Sequence, residues 1–327
     1  MQIILISDRL ARARSVHMSL GHLMGTAFLA LFLAVGAASC GSDDDGGGGG
    51  DKVKVGLVTD TGGVDDRGFN EFSIKGLDRA ESEFDLDTRV YVSNSADDYL
   101  PNLEAAVDDG NEFVVAVGFL LAPSTIQVAT TNPGVSFAGV DHFYGKPGDA
   151  ECVKSKTCAV DNALGMQYPS EEAGYLAGVV AALTTRTNTV STVGGIKIPP
   201  VDNWIAGYQA AVKATKPGVK LLNAYSNDFN DAAKCKEIAL DQISQGSDVV
   251  FQVAGDCGLG AIDAACEKNV TAIGVDADQS AQGDCVLTSA LKPLEESVFG
   301  VIKTFVDGDF KGGDNQFFGV EDLPDAK

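Results

Sequence analysis

The sequence predicts an α/β protein with two doubly wound parallel-sheet domains joined by a hinge. Short apolar runs alternate with longer amphipathic stretches, a pattern typical of βαβ units. The segment S-F-A-G-V-D at 136–141 returns as T-A-I-G-V-D at 271–276, which indicates an internal duplication. The chain has 327 residues, more than a single core of ordinary size requires, so two domains of like topology are expected.

The first half of the repeat begins after residue 51. Apolar residues at helical spacing predict a helix over 69–84, and the uninterrupted apolar run at 113–117 predicts a buried strand. The other predicted strands are 52–60, 88–92 and 135–140, and the other predicted helices are 100–109 and 124–130.

The second half repeats this order. We predict strands at 189–194, 219–225, 248–253 and 271–275, and helices at 204–214, 232–245 and 259–268. The tail after Ser289 is expected to cross back, which gives a first domain of 52–163 plus about 289–327 and a second domain of 164–288.

Four residues lie at or just after the ends of predicted strands: Asp60, Asp141, Gly255 and Asp276. Doubly wound sheets bind ligands at the carboxyl ends of their strands. If the two domains face each other, these residues converge on one cleft that closes over a ligand.

The N-terminus has the pattern of a lipoprotein signal peptide over residues 1–39. Arginines precede an apolar stretch, and small residues come directly before Cys40. We expect a lipid on Cys40, with residues 40–51, acidic and glycine-rich, as a flexible tether. A plain signal peptide or a retained membrane anchor are the alternatives. The predicted location is the cell membrane, lipid-anchored, facing outside the cytoplasm.

Charge and histidine content exclude several function classes. The full chain carries a formal charge of −22. Residues 1–39 hold three arginines and one aspartate, so the remaining 288 residues carry −24, which disfavours nucleic-acid binding. One histidine, His142, remains outside the leader. A histidine metal site or a Ser-His-Asp hydrolase is therefore not expected, and neither is any cofactor. We place His142 at a cleft rim or on the surface.

Six cysteines follow Cys40, an even number that suggests disulfides in an exported protein. Cys152 and Cys158 close a short loop and are the favoured pair. The remaining four allow three pairings, and the sequence leaves them open: Cys235, Cys257, Cys266 and Cys285.

Five segments resemble the signatures of the basic membrane protein family, in the family's order: D-T-G-G-V-D-D-R-G-F-N-E (60–71), D-F-N-D (228–231), Q-G-S-D-V-V-F-Q-V-A-G-D-C-G-L-G (245–260), A-I-G-V-D-A-D-Q-S (272–280) and L-T-S-A-L-K (287–292). These are lipoproteins that serve ABC importers as substrate-binding components and include purine nucleoside receptors. The resemblance implies the type I periplasmic-binding-protein fold, a membrane permease as partner and a monomeric chain.

The resemblance also implies how one end of the site holds a purine. Phe69 and Phe229 match the aromatic residues on either side of the base, and Trp204 matches an aromatic residue that flanks the pocket. Asn70 and Asp141 match the residues that read the base edge. The alternative for either phenylalanine is a place in the core.

At the sugar end, Asp276 and Lys292 match the groups that hold the ribose hydroxyls, and Gly255 brings backbone close to the sugar. Asp60 matches an acid at the mouth of the first strand. A carboxylate accepting hydroxyl hydrogen bonds from a diol forms the stronger, charge-assisted kind. Lys292 could instead be a solvated surface lysine, and we interpret Asp231 as a helix N-cap.

The expected function is binding of purine nucleosides (guanosine, inosine, adenosine) for an ABC importer. A receptor for a pentose or another diol-bearing solute is one alternative, and a ligand-sensing lipoprotein without a transport role is another. An enzyme such as a nucleoside hydrolase is not expected, because the sequence shows neither an acidic metal-binding cluster nor a histidine pair.

Overall fold

The computed structural model describes residues 52–319. The predicted signal peptide, Cys40, the tether over 40–51 and the tail 320–327 lie outside the described residues.

Two parallel sheets organise this part of the chain. The first has the strand order β2-β1-β3-β4-β5-β11, and all its pairs are parallel. Its strands are β1 (Lys54–Val58), β2 (Asp87–Tyr91), β3 (Phe113–Val117), β4 (Ser136–Val140), β5 (Ala163–Gln167) and β11 (Asn315–Phe317). The central strand β3 is buried along its whole length, as its apolar run predicts.

The second sheet repeats the order as β7-β6-β8-β9-β10, again with parallel pairs. Its strands are β6 (Thr189–Gly194), β7 (Lys220–Tyr225), β8 (Val249–Val253), β9 (Thr271–Asp276) and β10 (Val286–Leu291). The repeated segments of the sequence are thus β4 and β9, in equivalent places. The predicted fold class, with two parallel sheets of like topology, is confirmed.

Helices cover the faces of both sheets. They are α1 (Phe69–Phe84), α2 (Tyr99–Asp108), α3 (Ala122–Thr131), α4 (Ala150–Ser155), α5 (Ser170–Thr184), α6 (Pro199–Thr215), α7 (Ala232–Ser244), α8 (Gly255–Glu267) and α9 (Leu294–Val306). Each sheet is buried between its helices in two apolar clusters. α6 begins earlier than predicted, because a proline suits the first turn of a helix.

The chain crosses between the sheets twice, after β5 and after β10. We call residues 52–167 and 294–319 the first lobe, and residues 170–291 the second lobe. The predicted domain limits fall inside β5 and β10, because these strands complete their own sheets. The tail does return to the first lobe, where α9 packs on α1 and β11 pairs with β5. That the lobes move as hinged domains remains our proposal.

The two crossovers have the same local structure. Ser170 N–H bonds to the Tyr168 carbonyl (2.8 Å), and Leu294 N–H bonds to the Lys292 carbonyl (2.8 Å). The proline between each pair has dihedrals of −74° and 66° at Pro169, and −77° and 59° at Pro293. Both crossovers are therefore inverse γ-turns that lead directly into a helix.

Three disulfides are present. Cys152–Cys158 confirms the favoured pair, and the others are Cys235–Cys257 and Cys266–Cys285. The Cys235–Cys257 bond joins α7 to the first turn of α8. Within residues 52–319, no helix is both long and apolar enough to cross a membrane.

Candidate functional site

A cavity with about 520 Å³ of empty space, part of it open to solvent, lies where the carboxyl ends of the two sheets face each other. Its wall includes eight of the nine predicted ligand-binding residues; Asn70 is the exception. The lining residues are Asp60, Gly62, Asp66, Phe69, Gly118, Phe119, Asp141, Ile198, Pro200, Val201, Trp204, Phe229, Val253, Ala254, Gly255, Asp276 and Lys292.

Aromatic rings from both lobes reach the cavity. Phe69 is the first residue of α1, and Phe229 lies in the loop before α7. Both are half-buried, and each packs against an apolar cluster of its own lobe while it lines the cavity. Trp204 is more deeply buried and meets Phe251 edge to face, with ring centroids 6.3 Å apart. Phe119 was missed in the sequence, although it closely follows the end of β3, the place where such sheets put ligand contacts.

Carboxyl groups form the polar part of the wall. Asp60, Asp141 and Asp276 are each 8% exposed. Asp141 and Asp276 end equivalent strands of the two lobes, and both have left-handed backbone, with φ of 61° and 66°. Ala277 N–H bonds to the Val275 carbonyl (2.7 Å) across Asp276, a γ-turn that projects this carboxylate from the end of β9.

Lys292 is buried, not a solvated surface lysine as the alternative had it. Its Nζ donates to both carboxylate oxygens of Asp141, at 2.9 and 2.7 Å. Its backbone N–H donates to the Asp276 carbonyl (2.8 Å). The ammonium also lies 4.9 Å from the ring centroid of Phe69 and 4.8 Å from that of Tyr168. Lys292 therefore contacts both lobes, and its ion-pair partner is Asp141 rather than Asp276.

Asn70 lies behind the wall instead of on it. Its amide donates to Asp60 Oδ1 (2.8 Å) and to the Gly63 carbonyl (2.9 Å), and the residue is fully buried. The Gly62 N–H donates to the same oxygen of Asp60 (2.9 Å). In this structure Asn70 thus orients Asp60, which differs from the direct contact that the resemblance implies.

Asp66 organises the start of α1. Its carboxylate accepts backbone N–H bonds from Gly68 (3.1 Å), Asn70 (2.8 Å) and Glu71 (3.1 Å). These are donors that a helix N-terminus otherwise leaves without partners. This capping fixes the position of Phe69 at the cavity. Asp231 caps α7 as predicted, since its side chain accepts from Lys234 N–H.

Burial governs the electrostatics of the site. It raises the pKa of Asp276 to about 6, although the nearby Lys292 ammonium lowers it. Burial also raises the pKa of Asp66 to about 7 against its three backbone donors, and it raises the pKa of Asp60. Among the described residues that line the cavity, Lys292 is the single cation facing four carboxyl groups. A ligand that offers hydrogen-bond donors to carboxylates is favoured here.

His142 is fully buried, which corrects its predicted place at a rim or on the surface. One ring nitrogen lies 2.8 Å from the Gly118 carbonyl and the other 2.7 Å from the Tyr144 hydroxyl. Because a carbonyl only accepts, Nε2 carries the proton and Nδ1 accepts from Tyr144. Burial lowers the pKa of His142 to about 4. His142 therefore supports the loop at Gly118 as a neutral ring.

Gly118→Ala is expected to disturb this arrangement. A Cβ at Gly118 would lie 2.7 Å from Asp60 Oδ2, and φ there is 112°. The substitution strains the backbone and displaces Asp60, so we expect a loss of roughly 1–3 kcal/mol in the free energy of unfolding. Chemical denaturation measures it. Gly134→Ala is the matched control, because no atom lies within 4 Å of its added Cβ. Equal stability of the two variants would contradict the expectation.

Among residues 52–319, no group of three or more histidine, cysteine, aspartate or glutamate side chains is placed to hold a metal ion. The groups that line the cavity include aromatic rings, carboxylates and the Lys292 ammonium. The arrangement suits reversible binding of a small polar and aromatic solute between two lobes.

Comparisons with known proteins agree with this architecture. A family model described as "ABC transporter substrate-binding protein PnrA-like" matches residues 52–323. The "CD4+ T-cell-stimulating antigen" of Listeria innocua is 33% identical, over 90% of this chain and 87% of that protein. The "ABC transporter nucleoside-binding protein BmpA" of Lactococcus lactis is 34% identical, over 80% of this chain and 77% of that one. "Basic membrane protein D" of Borreliella burgdorferi is 29% identical, over 90% and 83%.

Among solved structures, a solute-binding protein of an ABC transporter system from Aeropyrum pernix matches with a TM-score of 0.73 and 26% identity, over 83% of this chain and 75% of that one. A second such protein, from Conexibacter woesei, has a TM-score of 0.59 and 24% identity, over 82% and 85%. These likenesses identify the two-lobed architecture as the type I periplasmic-binding-protein fold.

Proteins of this kind are binding proteins and not enzymes: outside the cytoplasm, they take up a ligand and present it to a membrane permease. The family model spans nearly all of the described chain, and the relatives agree with it over most of their length. The chain belongs to the basic membrane protein family of ABC transporter substrate-binding proteins.

Proposed function

We propose that this protein is a lipid-anchored receptor that binds purine nucleosides in the cavity between its lobes and delivers them to an ABC permease. The observation that carries the proposal is the composition of the cavity. Aromatic rings from both lobes line one cavity together with buried carboxylates. A purine nucleoside has the matching parts, a flat π system and a vicinal diol.

The base is assigned to the aromatic part. Phe69 and Phe229 enter from opposite lobes, so a ring held between them would be stacked on both faces when the lobes are together. Stacking on an aromatic side chain contributes about 1–3 kcal/mol per base. Asp141 keeps lone pairs beyond those used by Lys292 and can accept from N–H groups of the base edge.

The sugar is assigned to Asp276, with Lys292 and the Gly255 backbone beside it. Within residues 52–319, no hydrogen bond to the Asp276 carboxylate is formed, so its oxygens are free to accept from two hydroxyls. Gly255 has φ of 57° and keeps the start of α8 close to the cavity without a side chain. Asp60 completes the polar wall at the end of β1.

The charge of the cavity disfavours a phosphorylated ligand. Four carboxyl groups and one ammonium line it, so a nucleotide phosphate would meet net repulsion at low effective dielectric. The name of the Lactococcus lactis relative, a nucleoside-binding protein, supports the same ligand class. The proposed anchor is a lipid on Cys40, and the proposed state is a monomer at the outer face of the cell membrane.

Isothermal titration of the full-length chain tests the proposal, after bound ligand has been removed by partial unfolding and dialysis. The panel is guanosine, inosine, adenosine, cytidine and ribose. Sub-micromolar binding of purine nucleosides with weak ribose binding would support the proposal. Binding of ribose alone would identify a pentose receptor, and no binding across the panel would exclude the ligand class.

Phe69→Ala is expected to weaken guanosine binding by at least about tenfold, because one stacking face of the base is lost. Binding of free ribose should change little. Phe317→Ala is the matched control, since Phe317 is 69% exposed on β11 and does not line the cavity. Equal losses for guanosine and ribose in Phe69→Ala would contradict the assignment of the base to the aromatic part.

A further inference from the structure

Two of the sequence motifs contain residues that the binding cavity does not use. Arg67 belongs to the segment 60–71 but is exposed and absent from the cavity wall. Gln279 and Gln282 follow Asp276 in the second lobe, and they too are absent from the cavity wall. These three residues meet each other at the rim of the cleft.

The contacts between them connect the lobes. Gln279 Nε2 donates to the Arg67 carbonyl (3.3 Å). The Gln282 amide, oriented with its oxygen toward the guanidinium, accepts from Arg67 Nη1 (2.9 Å) and Nε (3.3 Å). Arg67 therefore offers both its backbone and its side chain to the opposite lobe.

Arg67 and Gln279 are each held within their own lobe. Gln279 is 2% exposed, and its Oε1 accepts from Gln252 Nε2 (2.7 Å) and from Val275 N–H (3.1 Å). Its own N–H donates to Ser289 Oγ (3.0 Å). Arg67 has φ of 50° and lies between Asp66 and Gly68. The Gly68 N–H donates to the Asp66 carboxylate, which holds this turn at the start of α1. Arg67 and Gln279 are thus fixed in different lobes, so we expect these bonds to break when the lobes separate.

We propose that Arg67, Gln279 and Gln282 form a clasp between the lobes that sets how long the ligand stays bound. The inference rests on the proposed nucleoside binding for its ligand. The clasp residues act through closure of the lobes and make no contact with the cavity. They are therefore expected to change the dissociation rate and not the association rate, because the open protein that captures ligand lacks these bonds.

Stopped-flow fluorescence with guanosine measures both rates. Trp204 is the single tryptophan of the chain and lines the cavity, so it reports occupancy. Arg67→Ala and Gln282→Ala should each speed dissociation about fivefold and change association less than about twofold, as expected for a partly exposed hydrogen bond to a charged group. The double variant should dissociate no faster than Arg67→Ala, because the two residues share one contact.

Arg89→Ala is the matched control, since Arg89 is an exposed arginine of the first lobe that pairs with Asp109. Its rates should equal those of the parent. An unchanged dissociation rate in Arg67→Ala would overturn the clasp, as would a full additional effect of Gln282→Ala in the double variant. Slower association with unchanged dissociation would overturn it too.

A second measurement separates failure of the clasp from failure of the ligand proposal. If the parent protein binds no guanosine, the ligand assignment fails, and the clasp is then tested without ligand. Spin labels on Asp97→Cys and Lys213→Cys, both exposed and on different lobes, report the distance between the lobes. Arg67→Ala should shift this distance distribution from the parent's toward longer values. An unchanged distribution would exclude a role for Arg67 in closure.

Discussion

Lys292→Met is expected to lower the free energy of unfolding of the ligand-free protein by about 3–5 kcal/mol, the usual cost of breaking a buried ion pair by removing one partner. The Lys292 side chain is 3% exposed and that of Asp141 is 8% exposed. Without the ammonium, the buried Asp141 carboxylate loses its ion-pair partner while two other acids lie nearby. Urea denaturation at about pH 8 measures the loss.

The size of this loss should depend on pH. Lys292 lowers the pKa of Asp276, which burial raises to about 6. Removing the ammonium therefore raises the pKa of Asp276 further, and the protonated carboxyl relieves part of the repulsion in acid. We expect a smaller loss at about pH 5 than at about pH 8. An equal loss at both values would show that packing, and not charge, explains the effect.

Two further variants isolate the charge of the pair. Adding Asp141→Asn to Lys292→Met removes the unpaired carboxylate, so most of the stability should return. Lys303→Met is the matched control: Lys303 pairs with Asp307 four residues on, and both side chains are nearly half exposed. Such a pair contributes at most about 1 kcal/mol. A Lys292→Met protein as stable as Lys303→Met would contradict our account of the site.

The sequence pattern predicts the framework of the sheets because its signals are local. β3 and α1 are found at their predicted bounds, since a buried strand reads as an unbroken apolar run and a half-buried helix as an apolar stripe. α5 (Ser170–Thr184) was not predicted. It is nearly apolar all round, and it carries Gly174 and Gly178 where a Cβ would lie 2.3 Å from backbone oxygens of α6. Its exposed face also carries the apolar residues Tyr175, Leu176 and Leu183, so the polar side that identifies a surface helix is missing.

The same distinction applies to the site. Strand ends follow from topology, so the convergence of Asp60, Asp141 and Asp276 could be expected from the repeat. Which of these carboxylates pairs with Lys292 depends on how two crossovers and two lobes are placed, and no local pattern encodes it. The pairings of the last four cysteines depended in the same way on contacts between α7, α8 and the residues before β10.

Asp276→Asn is expected to stabilise the ligand-free protein at about pH 8 while weakening guanosine binding by at least about tenfold. Burial raises the pKa of Asp276 from 3.8 to about 6. The stability that this shift contributes is fully present below the pKa that Asp276 has in the unfolded chain. It is lost as the pH rises through the pKa that Asp276 has in the folded protein. Above that range the native state must hold a charge in a buried place. A neutral asparagine avoids this cost, so the free energy of unfolding should rise by an amount on the order of 1–3 kcal/mol.

The measurement is the thermal midpoint of both proteins between about pH 4 and pH 8. The advantage of Asp276→Asn should be greatest at the alkaline end and should vanish near the acid end, where the parent carboxyl is protonated as well. Asparagine adopts left-handed backbone readily, so the φ of 66° is no obstacle. If Asp276→Asn has a lower thermal midpoint than the parent at the alkaline end, the Asp276 carboxylate stabilises the ligand-free protein, and our assignment is wrong.

Asp141→Asn supplies the matched comparison, because Asp141 ends the equivalent strand of the first lobe with nearly the same backbone. At this position, the change to asparagine should destabilise the ligand-free protein, since it leaves the buried Lys292 ammonium without its partner. Each lobe has an aspartate at the end of the equivalent strand, but only Asp141 is paired with Lys292. Asp276 has no such partner, so its buried charge lowers the stability of the free protein and is available to the ligand. For this reason we assign the diol to Asp276.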